Sequence, residues 1–197
     1  MNPQTMALAC ATAMLLGSVS NAGAKDRVRI ANEGEIDNHW VLVHGPKAAA
    51  PGYPAQYLNH GDAVCIALGY AINVDGTTSD ISLLDAWTST GGNREPMKGY
   101  FDAFARAAAW TVAQWKFQPH PDAPAHEPTD IFYTVGTLGF AGSSGRDPAA
   151  IRNQCRISDF PSFIQTAKAR EFRRGSLVRT AMDRVLRATP SGRAYGK

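Results

Sequence analysis

Hydrophobic and polar positions alternate most strictly over residues 63–74, where Ile66, Leu68, Tyr70, Ile72 and Val74 take every second place. A period of two marks a half-buried strand. Asp75-Gly76 follows, a dipeptide suited to a tight hairpin, and residues 77–85 return with Ile81 and Leu83 continuing the inward face. The period then changes. Phe101, Phe104, Ala105, Ala108, Val112 and Trp115 recur at helical spacing and predict a helix over residues 100–114 with a single apolar stripe. Pro119, Pro121 and Pro124 end it, and residues 130–138 predict a third strand with Ile131, Tyr133 and Val135 on one face. Upstream, Tyr53-Pro54 opens a helical turn over residues 54–58, because proline suits a first helical position. Residues 27–30 and 39–43 suggest a short hairpin around Asn32-Glu33-Gly34. The expected fold class is α+β: a small antiparallel three-stranded sheet packed on two helices, with a C-terminal helical extension.

The other face of the first long strand is unusual. Cys65, Ala67, Gly69 and Ala71 are all small, where a solvent face would carry longer polar side chains. Small residues permit close approach of another element. The C-terminal region is the expected cover. Ser158 and Asp159 can cap a helix with Pro161 in its first turn, and beyond Gly175 an apolar stripe runs through Leu177, Val178, Ala181, Met182, Val185 and Leu186.

Four segments emerge. Residues 1–24 carry no charged side chain and read as a secretory signal, with an apolar centre at 6–16 and small residues Ala22-Gly23-Ala24 before Lys25. Residues 25–51 hold the hairpin and a Gly/Pro/Ala-rich linker, 52–140 the α+β body, and 141–197 the extension. Removal of the signal takes Cys10 with it and leaves Cys65 and Cys155, an even pair in an oxidising compartment. A bridge between them is expected to pin the extension to the small-residue face; two free buried thiols are the rival. The expected location is the periplasm.

Charge divides the chain. Residues 25–140 hold 8 basic and 13 acidic residues, net −5, whereas 141–197 hold 12 basic and 4 acidic, net +8. For an exported protein the basic extension points away from nucleic acid and toward an anionic membrane surface, peptidoglycan or an acidic partner, unless it is a solvated helix packed on the body.

The search for reactive groups returns little. Asn73-Val74-Asp75-Gly76-Thr77 lacks the first carboxylate that a phosphatase of the DxDGT type uses as nucleophile. His39 with His44, and His120 with His126, lack the spacing of metal ligands. Gly142-Ser143-Ser144-Gly145 lacks the spacing of a nucleophile elbow. Neither a metal, a cofactor nor an enzymatic activity is expected.

Four pieces in order resemble the C-terminal domain of the TonB family of periplasmic energy transducers. They are Tyr53-Pro54 with its short helix, the alternating strand ending in Asp75-Gly76, the helix exit Trp115-Lys116-Phe117-Gln118-Pro119, and the strand holding Ile131, Tyr133 and Val135. The resemblance spans residues 52–140. It implies a protein-binding module that takes an extended segment of an outer-membrane TonB-dependent transporter, or of another envelope protein, by pairing along an edge strand. Carried onto this chain, that edge is Thr129, Asp130, Ile131, Phe132, Tyr133, Thr134 and Val135. The rival from another class is an envelope structural protein, dimerising through its sheet and touching peptidoglycan or anionic lipid through its basic tail.

Overall fold

The computed structural model describes residues 27–43, 50–122 and 130–174. The signal-like segment, Thr129 and the apolar stripe beyond Gly175 lie outside the described residues. In chain order the strands are β1 (Arg27–Ile30), β2 (Trp40–Leu42), β3 (Val64–Ile72), β4 (Thr78–Thr88), β5 (Phe117–Pro119) and β6 (Asp130–Phe140). The helices are α1 (Tyr100–Ala113), α2 (Pro148–Arg152) and α3 (Phe160–Arg174).

The main sheet has four strands in the order β1-β6-β3-β4, and β2 pairs with β5 in a separate two-stranded ladder. The expected three antiparallel strands are present as β3, β4 and β6. The expectation of a purely antiparallel three-stranded sheet is corrected, because β1 adds a fourth strand that runs parallel to β6. The hairpin expected between residues 27–30 and 39–43 does not form. Val28 and Ile30 pack instead with Tyr133 and Val135, while Trp40 pairs with Pro119 and Leu42 with Phe117. The turn after Pro54 is a single 3₁₀ turn, Ala55–Tyr57, rather than a second full helix.

All nine residues of β3 are buried, so the sheet is covered on both faces. On one face α1 lays Phe101, Phe104, Ala108 and Val112 against Ile66, Leu68, Tyr70, Ile72, Phe132, Leu138 and Phe140. Helix α1 begins after Gly99, which has no side chain to cap it; the carboxylate of Glu95 accepts from the Phe101 N–H instead, at 3.1 Å. On the other face Ile151, Phe160 and Ile164 join Ala63, Cys65, Ala67, Ala71, Tyr133 and Val135. The small-residue stripe thus lies under the C-terminal helices, and a Cys65–Cys155 disulfide ties the two together with its Cα atoms 5.8 Å apart. Gly69 has a separate reason to be small: a Cβ there would lie 2.7 Å from the Tyr133 hydroxyl, which bonds to Ser82 Oγ at 3.1 Å. Helix α3 starts as the sequence indicates, with Asp159 Oδ1 accepting from the Ser162 N–H at 3.0 Å.

The second cover should therefore carry measurable stability. The bridge closes a loop of sequence separation 90, for which chain entropy gives about 4–5 kcal/mol. Phe160 is fully buried against Tyr133, with ring centroids 5.5 Å apart. Urea unfolding is expected to show a loss of ~2–5 kcal/mol for the Cys65→Ala, Cys155→Ala double variant, and ~3–5 kcal/mol for Phe160→Ala. Losses under about 0.5 kcal/mol in both would mean that the tail merely rests on the sheet.

Candidate functional site

The strand carrying the candidate site, β6, is not an edge of the sheet. Its inner side pairs with β3 from Ile72↔Phe132 to Val64↔Phe140 without a register break. Its outer side is taken by β1 over four residues, from Arg27↔Asp130 to Ile30↔Tyr133. Of the seven expected docking positions, Asp130, Ile131, Phe132 and Tyr133 are thus already paired within the chain, and Thr134 and Val135 lie just beyond. The physical reason is the pairing of β1 across the sequence: its alternating residues set Val28 and Ile30, half-buried, on the tail side of the sheet, while Arg29 turns to the helix side and meets Asp130.

Backbone direction along β6 follows from two bonds. The Ala31 N–H donates to the Tyr133 carbonyl at 3.0 Å, and the Thr137 N–H donates to Glu33 Oε1 at 2.8 Å. Both partners lie on the β1 side, so Tyr133, Val135, Thr137 and Gly139 turn their backbone groups outward, as strand alternation requires. Glu33 completes its hold through the Thr137 hydroxyl, at 2.8 and 2.9 Å from its two oxygens. A carboxylate thus takes an outward N–H that would otherwise be left to a neighbouring strand. Glu33 is positioned by the turn after β1, where the Glu35 N–H donates to the Asn32 carbonyl at 3.0 Å and the Asn32 side chain accepts from the Phe160 N–H at 2.8 Å.

Past Thr137 the rim opens into a groove of about 840 Å³. Its floor is residues 137–142; Tyr53, Thr111 and Trp115 stand on the helix side, Pro148 and Arg152 on the tail side. Among the described residues nothing pairs with the outward backbone of Gly139, and the buried indole N–H of Trp115 has no acceptor. The opposite edge is different in kind. Strand β4 is broken by two register shifts, between Ala67/Leu68 and Gly69/Ala71 of its partner, and Asp80 sits at φ 52. Bulges of this sort discourage edge pairing.

The motif residues converge behind the groove. Tyr53 donates to the Asp62 carbonyl at 3.1 Å and meets Phe104 edge-on, with ring centroids 4.9 Å apart. Pro54 leads into the 3₁₀ turn that sets Tyr57 against Tyr100. Asp75 accepts from the Thr77 N–H and hydroxyl, which hold its carboxyl below the usual range. Gly76 has φ +77, and a Cβ there would collide with the Phe117 carbonyl; the Phe117 N–H in turn donates to the Gly76 carbonyl at 2.8 Å. The Asp-Gly turn and the helix exit are therefore one junction. Trp115 and Phe117 both reach the Tyr70 ring, at 5.7 and 6.4 Å between centroids, and Pro119 pairs with Trp40. These residues shape the scaffold behind the groove.

Sequence reading missed three polar contacts: Arg29 with Asp130, Glu33 with Thr137, and the buried Asp62, whose carboxylate accepts from the Tyr100 hydroxyl at 2.7 Å. The Arg27-Val28-Arg29-Ile30 alternation was the available signal for the first. The Asn73 amide donates to the Thr77 hydroxyl at 2.9 Å within the turn. Among the described residues no three His, Cys, Asp or Glu are placed to hold a metal ion, and no helix is long and apolar enough to cross a membrane.

Comparisons with known proteins give a structural likeness. The chain is similar to a solution NMR structure of the Pseudomonas aeruginosa TonB CTD, with 18% identity, a TM-score of 0.39, and coverage of 56% of this chain and 91% of that one. No family model matches. No curated protein matches.

Buried phenols give a pH test of the scaffold under the groove. Burial is the main cause that pushes the Tyr70, Tyr100 and Tyr133 hydroxyls upward; nearby Glu33 and Asp37 add to it for Tyr70, and the bond to Asp62 for Tyr100. The folded state therefore keeps protons that the unfolded chain releases near pH ~10. Their contribution is fully present below that pH and is lost as pH rises beyond it toward the raised folded values. Urea midpoints are expected to hold from pH 7 to 9 and fall above about 10, with a shallower fall in Tyr70→Phe. An unchanged slope in that variant would mean that Tyr70 ionises freely in the fold.

Proposed function

We propose that this chain is a non-enzymatic, periplasmic protein-binding module of the TonB type, which receives an extended segment of an outer-membrane transporter or another envelope protein along the outer rim of β6. The observation that carries this reading is the groove at residues 137–142, where outward backbone groups of β6 lie between an aromatic wall and a wall ending in Arg152. Strand addition needs such a rim: main-chain hydrogen bonds supply affinity and flanking side chains supply choice. The four motif pieces support the TonB assignment on the sequence side, and the signal-like residues 1–24 support export. Participation in TonB-dependent transport, as an accessory of or a competitor to a complete transducer, belongs to the same proposal.

Peptides with TonB-box sequences should shift the amide signals of residues 136–142 of the isotopically labelled protein, leaving those of β4 in place. Gly139→Pro removes an outward N–H without touching the β3 ladder, and is expected to weaken that binding at least tenfold, ~1.4 kcal/mol. Retention on purified peptidoglycan with no response to any peptide would favour the structural rival instead.

A further inference from the structure

Building on that docking role, we propose that β1 is a displaceable occupant of the β6 rim, and that Val28-Arg29-Ile30 spells out the guest taken from a partner protein. That guest is an extended segment running parallel to β6, with a basic residue between two β-branched ones.

The occupant is weakly built into the sheet. It contributes four paired residues, against nine in the β3–β6 ladder, and parallel pairing is the less stable kind per residue. Its side chains nevertheless read both layers. Val28 and Ile30 reach the cluster of Tyr133, Val135 and Phe160 on the tail side. Arg29 reaches the helix side, where its Nε lies 2.6 Å from Asp130 Oδ2 and its guanidinium sits 5.9 Å from the centre of the Phe132 ring.

The ion pair is lopsided. The Asp130 side chain is fully buried, whereas the Arg29 side chain is 51% exposed. The carboxylate thus belongs to the rim, and the cation to whatever strand lies on it. A guest without a cation at this register forgoes the charge-assisted bond that Arg29 makes to this buried carboxylate at 2.6 Å, and a guest with one restores what β1 supplied. The site is also continuous with the groove. A parallel guest longer than β1 would run on past Tyr133 toward Thr137, where Glu33 now holds the N–H, and into the open part of the rim.

A labelled peptide with the sequence of residues 26–33 is the probe, titrated onto the disulfide-bonded chain. Arg29→Pro removes both the cation and an N–H directed at β6, so this variant is expected to bind the peptide at least tenfold more tightly than the unaltered chain. The peptide carrying Arg29→Glu should bind the variant at least tenfold more weakly than its parent. Adding Asp130→Asn to the variant should abolish that difference between the peptides. Because a strand-deleted fold can fail for other reasons, hydrogen exchange on the unaltered chain gives a second reading. The outward amides of Ile131 and Tyr133 should lose protection well before the inward amides of Phe132 and Thr134.

Equal protection of all four amides would overturn the proposal. So would no peptide binding by a variant that keeps its native spectrum, or equal binding of both peptides to it. A dimer that exchanges β1 between copies in the unaltered chain would replace the partner protein with a second copy and overturn the stated source. Capture of the β1 peptide without any response to TonB-box peptides supports the displaceable strand while removing the transporter reading.

Discussion

Burial of β3 on both faces is the constraint from which the rest of the architecture follows. A strand with every residue inside cannot belong to an open-faced sheet, so two covers are required, and the chain supplies them from two stretches on either side of β6. Helix α1 is the near cover, reached through the Asp75-Gly76 hairpin and delivered by a stripe of Phe and Ala. The far cover arrives only after β6, through α2 and α3, and its side chains are large because the strand beneath them is small: Phe160 and Ile164 over Cys65, Ala67 and Ala71. The disulfide fits the same division, since its Cys65 lies on the small face and its Cys155 between the two covering helices.

Once both faces are filled, the sheet keeps open backbone only at its two rims, and these are not equivalent. The β4 rim carries two bulges and a left-handed Asp80. The β6 rim is regular along its full pairing with β3, yet three devices moderate it: a short parallel strand, the Glu33 carboxylate on the Thr137 N–H, and the groove walls from Trp115 to Arg152. A regular rim that stays guarded suits strand addition, because an unguarded one would recruit other chains indiscriminately.

Much of this frame was legible in the residues. The period of two in β3, the Asp-Gly turn, the α1 stripe and the small face of β3 each carry a local rule with one physical meaning, and each led to the right element. The place of β1 was not legible, because four alternating residues fit several partners. Its pairing with β6 is settled by contacts about 100 positions away, Arg29 with Asp130 and Glu33 with Thr137. The same non-local pairing turned the expected edge strand into an interior one. Motif residues such as Trp115, Phe117 and Gly76 were visible as a set, but that they meet at one junction under Tyr70 depends on tertiary packing.

An occupied rim changes what binding means for such a module. A guest that takes the place of β1 forms the hydrogen bonds that β1 gives up, so the backbone contribution nearly cancels. The cis strand also holds an advantage of effective concentration, of order mM for a short tether. Net affinity must then come from what the guest adds beyond the four-residue footprint, namely the Gly139 backbone and the groove walls. Selectivity must come from what it has to match within the footprint, the buried Asp130 above all. Apparent affinity falls by the fraction of molecules with the rim exposed, so such an exchange favours brief, sequence-selective contacts over permanent assembly. That is the behaviour expected of a module that engages and releases its partners, and it follows from the lopsided burial of one ion pair on a short parallel strand.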